Sequence, residues 1–170
     1  MAILEIRKYP DRFLKNKAEP VAEITEEVRQ LIADMADTMY DEPGVGLAAI
    51  QVGSRKSIIV YDVSQGEEGE RHLQVYINPR IVEKEGSLLS EGEGCLSVPD
   101  YRADVKRYER VRVEGLDENG DEKIVEAEGF PAIVLQHEID HLNGILFIDR
   151  ISLLKRNLYK KRIQKQLKKG

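Results

Sequence analysis

The sequence predicts an α+β fold: mostly antiparallel sheets packed around a buried central helix, with one helix ahead of it and an amphipathic helix at the C-terminus. Three observations lead there. Several strand-like runs follow one another without the strand–helix–strand alternation of a parallel sheet. Three segments carry helical patterning. One of these, residues 130–142, is apolar on most sides, which marks a helix surrounded by protein.

The elements follow in chain order. Residues 25–40 place Val28, Leu31, Ile32, Met35, Ala36 and Met39 at helical spacing on one face. Thr25 is an expected N-cap, Glu26 and Glu27 suit the first turn, and Pro43 and Gly44 punctuate the end. A Gly- and Ala-rich segment fills residues 44–53. Residues 57–63 are short and β-branched, as in a buried strand, and 65–70 read as a polar turn. Residues 74–83 and 101–116 are further strands. In the latter, Val111 and Val113 alternate with Arg110, Arg112 and Glu114, which predicts one wetted sheet face. Asn119-Gly120 joins that run to a strand at 123–127 as a hairpin turn. Helix 130–142 has Pro131 in its first turn and stops at Asn143-Gly144. The last helix, 152–168, sets Leu154, Leu158, Ile163 and Leu167 against basic residues.

Composition bounds the class. A chain of 170 residues, 41% hydrophobic and 34% charged, has the size and apolar content of one domain. Residues 1–149 are expected to form a catalytic body, with 150–170 as a basic helix of the same domain. A single cysteine excludes an intramolecular disulfide. No apolar run is long enough to span a bilayer, and the first residues lack the pattern of a signal or transit peptide. A soluble protein of a reducing compartment, without a membrane partner, is the expectation. The net charge of -5 hides a split. Residues 150–170 hold nine basic side chains and no acidic one, which leaves -14 for residues 1–149.

The most specific short feature is His137-Glu138-Ile139-Asp140-His141. On a helix, positions i and i+4 share a face, so two imidazoles can take one metal ion while the adjacent glutamate reaches a bound water. The plainer alternative is a pair of histidines simply buried on an apolar helix. A catalytic metal site needs a third protein ligand and an open position. Downstream there is no His or Cys, and the extended pattern H-E-x-x-H-x-x-G-x-x-H fails at Phe147 although Gly144 is in place. The third ligand is therefore sought upstream. His72 lies in a polar, turn-like stretch and is a poor choice. Cys95, in Glu91-Gly92-Glu93-Gly94-Cys95-Leu96-Ser97, is the better one, since the glycines allow close backbone approach. Its alternative is a small buried hydrophobe.

Three segments then match one family together. Gly44-Val45-Gly46-Leu47-Ala48-Ala49-Ile50-Gln51 resembles G-x-G-x-A-A-x-Q, Glu93-Gly94-Cys95-Leu96-Ser97 resembles E-G-C-L-S, and Gln136-His137-Glu138-Ile139-Asp140-His141 resembles Q-H-E-x-D-H. In this order they are similar to the signature motifs of the peptide deformylases, in their bacterial form. The resemblance implies hydrolysis of the N-formyl group from the initiator methionine of nascent polypeptides, with release of formate, in the bacterial cytoplasm. It implies metal ligation by Cys95, His137 and His141, with Glu138 as general acid/base and Gln51 and the Leu96 N–H stabilising the transition state. The metal would be one divalent ion, iron(II) in the cell, with zinc, nickel or cobalt in isolated protein. Without the resemblance, Gln51 reads as an amide packing the glycine loop.

Substrate contacts are expected from Val45 and Gly46, where extended peptide could add as a strand, and from Glu93 and Gly94. Ile133 and Val134 would wall the methionine pocket or else be ordinary core. Arg102 matches a family position that meets the substrate region and Glu93, its alternative being a surface ion pair. The family's C-terminal helix implies contact with ribosomal RNA near the peptide exit, through phosphate-directed charge. A monomer is expected. Two other readings compete. One is an H-E-x-x-H metallopeptidase cutting internal bonds, disfavoured by the missing downstream ligand. The other is a ribosome-associated binding module with a structural metal, disfavoured because no second cysteine closes the site.

Overall fold

The computed structural model describes residues 2–64 and 71–169. The turn expected at 65–70 lies outside them. Helix α1 (Glu26–Asp41) starts at Thr25, whose hydroxyl accepts a hydrogen bond from the Val28 N–H. Among the described residues seven strands follow: β1 (Gly46–Ala48), β2 (Ile58–Tyr61), β3 (Gln74–Glu85), β4 (Leu88–Cys95), β5 (Val98–Arg107), β6 (Arg110–Leu116) and β7 (Glu122–Glu128). Helix α2 (Phe130–Leu142) and helix α3 (Leu153–Lys169) complete the chain. The strands form an antiparallel sheet in the order β1-β2-β3-β6-β7 and a separate β4-β5 hairpin.

The large sheet lies between α1 and α2, which explains why β2 has no polar alternation. Ile58 and Val60 face one core with Val28, Ile32, Met35 and Met39 of α1, while Ile59 and Tyr61 face the other with Ala132, Val134 and Leu135 of α2. A strand covered on both faces reads as a continuous apolar run. Ten of the thirteen residues of α2 are buried, and five of these, Gln136, His137, Glu138, Asp140 and His141, are polar or ionisable. The helix begins at Gly129, with φ +70°, and its chain reverses at Gly144, with φ +75°.

Residues 2–19 form a strap that the sequence did not reveal, extended except for a turn at Tyr9-Pro10 and one 3-10 turn at Arg12–Lys15. Its backbone reaches distant segments: Arg7 N–H to Gln51 O (2.6 Å), Tyr9 N–H to Ser97 O (2.7 Å) and Ala18 N–H to Leu142 O (2.8 Å).

Three expectations are corrected. The run 101–116 is not one strand but parts of β5 and β6, which belong to different sheets. Gln136 of α2 causes the break: its side chain accepts from the Tyr108 N–H (2.9 Å) and donates to the Tyr108 carbonyl (2.8 Å), drawing the turn onto the helix. Strand β4 was missed because Ser90, Gly92, Glu93 and Gly94 give it a loop-like composition. In α3 the buried residues are Tyr159 and Ile163, while Leu154, Leu158 and Leu167 are exposed. The reason is Tyr159, whose ring packs on Tyr101 (4.6 Å between centroids) and Tyr9 (5.6 Å) and so sets the rotation of the helix.

Gly144→Ala tests the packing at the end of α2. A Cβ there would clash with the Lys15 carbonyl oxygen, on a backbone with positive φ. The substitution is expected to cost about 3 kcal/mol in urea unfolding, against about 1 kcal/mol for Gly120→Ala. The control residue also has positive φ, but the nearest atom to its Cβ would be 3.5 Å away.

Candidate active site

Helix α2 brings His137 and His141 onto one face, one turn apart, with Nε2 atoms 3.3 Å from each other. Cys95, at the end of β4, places its Sγ 3.3 Å from His141 Nε2. One donor atom from each of the three residues lies within 4.8 Å of the others. His72 is not part of this group. One sulfur and two imidazole nitrogens converging on one point suit a divalent transition metal such as zinc or iron(II).

The surrounding groups fix this arrangement. His137 Nδ1 lies 2.7 Å from Glu93 Oε1, which leaves Nε2 turned toward Cys95 and His141. Glu93 is gripped in turn by Arg107, which donates from Nη2 to Oε1 and from Nε to Oε2 (3.2 Å). Burial pushes the Glu93 carboxyl up, but the hydrogen bonds and charges of His137 and Arg107 prevail and hold it at about 2. The partner of Glu93 is thus Arg107, not Arg102 as expected. Arg102 instead donates to the Gly92 carbonyl at 3.1 Å and is more exposed. Gln51 is oriented at both ends of its amide. Its Oε1 accepts from the Ala48 N–H (3.0 Å), and its Nε2 points to Ser97 Oγ (3.0 Å) and Cys95 Sγ (3.6 Å).

Glu138 is buried, and its Oε1 has no hydrogen-bond partner. Burial pushes its carboxyl up to about 7, against the lowering influence of His137. Across from it, a Cβ on Gly46 would come 2.5 Å from Glu138 Oε2, so only glycine leaves room for this carboxylate.

These groups stand at the floor of a cleft of about 1040 Å³. All the residues expected to meet substrate line it: Val45 and Gly46 from the β1 edge, Glu93, Gly94 and Arg102 from the β4-β5 hairpin, Ile133 and Val134 from α2. Leu96 lines it too, beside Cys95. Val134 also belongs to the core and is 3% exposed. Leu89, Tyr101 and Phe130 at the cleft, and Arg107 behind Glu93, were not foreseen from the sequence. Arg107 closes an alternating strand, where an arginine reads as solvent-facing.

A thiol and two imidazoles converging beside a buried carboxylate, within an open cleft, define a metal-dependent hydrolase. The profile of the polypeptide deformylase family matches residues 3–157. A peptide deformylase of Desulfosudis oleivorans is 54% identical over 170 residues, covering 100% of this chain and 98% of that protein. The crystal structure of a peptide deformylase from Legionella pneumophila is 42% identical with a TM-score of 0.90, covering 98% of this chain and 96% of that one. That of an Ehrlichia chaffeensis peptide deformylase in complex with actinonin is 40% identical, also with a TM-score of 0.90, covering 98% of each. The chain belongs to the polypeptide deformylase family, whose members remove the N-formyl group from nascent peptides. Neither an internal peptidase nor a binding module with a structural metal is favoured.

The raised Glu138 has a consequence for the metal-stripped protein. Between the ordinary carboxyl range near 4.5 and about 7, the folded chain keeps a proton that the unfolded chain has released. Stability therefore falls as pH rises through that window. Glu138→Gln removes the effect. Its advantage over the wild type in urea unfolding is expected to be small at pH 4, to grow up to pH 7 and to level off near 3 kcal/mol, on the order of what such a shift supplies.

Proposed function

We propose that this chain removes the formyl group from the initiator methionine with Cys95, His137 and His141 as ligands to one divalent metal and Glu138, Gln51 and Leu96 as the reacting machinery. The observation that carries the reading is the unpartnered Glu138 oxygen, buried beside the three converging donors in a space that Gly46 keeps open. A divalent cation bound there supplies a water of lowered pKa, able to attack an amide at neutral pH. Glu138 takes the proton of the attacking water and delivers it to the departing amine. Gln51, with its oxygen held by Ala48, presents its Nε2 donor on the Cys95 side of the cleft. With the Leu96 N–H it would meet the charge that develops on the formyl oxygen. Iron(II) is the metal proposed for the cell. Zinc, nickel or cobalt would serve in isolated protein, since a sulfur-nitrogen donor set accepts each.

The peptide backbone would add to the β1 edge along Val45 and Gly46. Gly94 and Arg102 would flank it from the hairpin, and Ile133 with Val134 would wall the methionine side chain. Glu93 acts through His137 in this scheme. The catalytic body, residues 1–149, and the basic helix, 150–170, are proposed as one domain. Burial of Tyr159 and Ile163 in the core around α2 supports this. A cytoplasmic monomer is the proposed form.

The ribosome is the proposed partner of α3. Its arginines already have partners on the rest of the protein: Arg156 lies 3.9 Å from Asp149, and the exposed Arg162 donates to the Asp100 carbonyl and lies over Tyr101 and Tyr159. Lys155, Lys161, Lys165, Lys168 and Lys169 are exposed and available to phosphate groups. Because Tyr159 is part of the core, deleting the helix would disturb the fold, and neutralising lysines is the cleaner test.

Glu138→Ala should retain the metal, measured by elemental analysis, and lose formate release by roughly a hundredfold or more. Full activity in this variant would refute the assignment. Replacing Lys161, Lys165 and Lys168 together by Gln should weaken ribosome binding about tenfold or more at moderate salt and flatten its salt dependence. Hydrolysis of a short formyl peptide should be unchanged. Undiminished ribosome binding would remove α3 as the contact.

A further inference from the structure

A line of alternating charges runs from the metal-ligand candidates to the start of the C-terminal segment. His137 Nδ1 meets Glu93, Glu93 meets Arg107, and Arg107 Nη1 donates to Asp140 Oδ2 at 2.7 Å. Arg150 ends the line with a two-pronged grip on Asp140, Nε to Oδ2 at 2.6 Å and Nη2 to Oδ1 at 2.7 Å. The first four members are buried. The side chain of Arg150 is 42% exposed, so it is the one link that reaches solvent.

We infer that Arg150 is a positioning residue for the metal site, acting on His137 through Asp140, Arg107 and Glu93. The inference rests on the ligand assignment proposed above. Arg107 is shared between two carboxylates: Nε and Nη2 serve Glu93, and Nη1 serves Asp140. A buried carboxylate requires charge neutralisation and filled lone pairs. Arg150 meets most of that requirement for Asp140, because it occupies both oxygens. Without Arg150, Asp140 has only Arg107 to turn to. It then competes with Glu93 for the same guanidinium. Glu93 loosens, and with it the hold on His137 Nδ1 that keeps Nε2 directed at the metal. Groups that orient a ligand histidine from behind commonly change metal affinity 10- to 100-fold when lost. Three links away, the lower end of that range is expected.

A lysine cannot replace the arginine fully, since its single ammonium does not bridge two oxygens in one plane. Arg150 therefore differs from its basic neighbours in the tail. Arg156, six residues on, holds only the more exposed Asp149 at 3.9 Å and serves as the control.

The test uses the full chain loaded with cobalt(II), with metal loss followed in excess of a colour-forming chelator. Arg150→Met is expected to release cobalt about tenfold faster than wild type, Arg150→Lys at an intermediate rate, and Arg156→Met at the wild-type rate. In zinc-loaded protein, the nitrogen-bound proton of His137 Nδ1, seen by NMR, should exchange faster with water in Arg150→Met. KM for a formyl peptide should stay unchanged. Wild-type cobalt release and an unaltered His137 proton in Arg150→Met would overturn the inference alone. So would an equal acceleration in Arg156→Met, which would mark a general loosening of the tail. A wild-type chain that binds no cobalt, or binds it equally after Cys95→Ser, would overturn the ligand assignment and the inference with it.

Discussion

Helix α2 carries His137, Glu138, Asp140 and His141 into the interior within five consecutive positions, and each of these groups must be accommodated there. Much of the architecture answers that demand. Strand β5 supplies Arg107, β4 supplies Glu93 and Cys95, and the segment after α2 supplies Arg150. Gln136, one position before the first histidine, clamps the Tyr108 turn and so sends β5 and β6 into different sheets. Only Glu138 keeps an oxygen without a partner among the carboxylates of the helix. Burial holds this acid, beside three candidate metal-binding atoms, protonated up to about 7 in the metal-free chain, the range suited to an acid/base.

The helix fits only because its surroundings are built for it. The two-faced sheet lets α1 bury its own apolar stripe on the far side, leaving α2 enclosed by strands, hairpin and α3. Gly46 and Gln51 belong to one short glycine- and alanine-rich segment, and both act by close approach. One makes room for Glu138, and the other sends an amide toward Cys95. A larger residue at 46 would meet Glu138 directly, and one at 48 would press into the core around α2.

The sequence made the elements with strong periodicity legible: α1 with its Thr25 cap, α2 between Gly129 and Gly144, and the β6-β7 hairpin at Asn119-Gly120. It also pointed to the three donors that converge, because the spacing of His137 and His141 is itself geometric and the glycines around Cys95 favoured it over His72. What it hid depends on tertiary contact. Strand β4 is strand-forming only as the partner of β5. Arg107 looks like the wet face of a strand until Glu93 and Asp140 are placed behind it. The stripe of Leu154, Leu158 and Leu167 has helical spacing, yet Tyr159 wins the contact because an aromatic cluster of Tyr9, Tyr101 and Phe147 awaits it. The Arg102–Glu93 pairing failed for a related reason: Arg102 and Arg107 lie on the same strand, and only packing decides which turns inward.

The strap of residues 2–19 and the charge line ending at Arg150 together set the order in which the molecule can mature during its own synthesis. The strap binds backbone at Gln51, Ser97 and Leu142, and the metal-facing cluster is neutralised only when Arg150 arrives. A chain elongating from its N-terminus makes the strap first, then its anchors at Gln51, Ser97 and Leu142 in turn, and Arg150 after every other member of the charge line. The full set of these contacts cannot form before Arg150 has been made. An enzyme that trims other growing polypeptides thus completes its own charge line only late in its own growth.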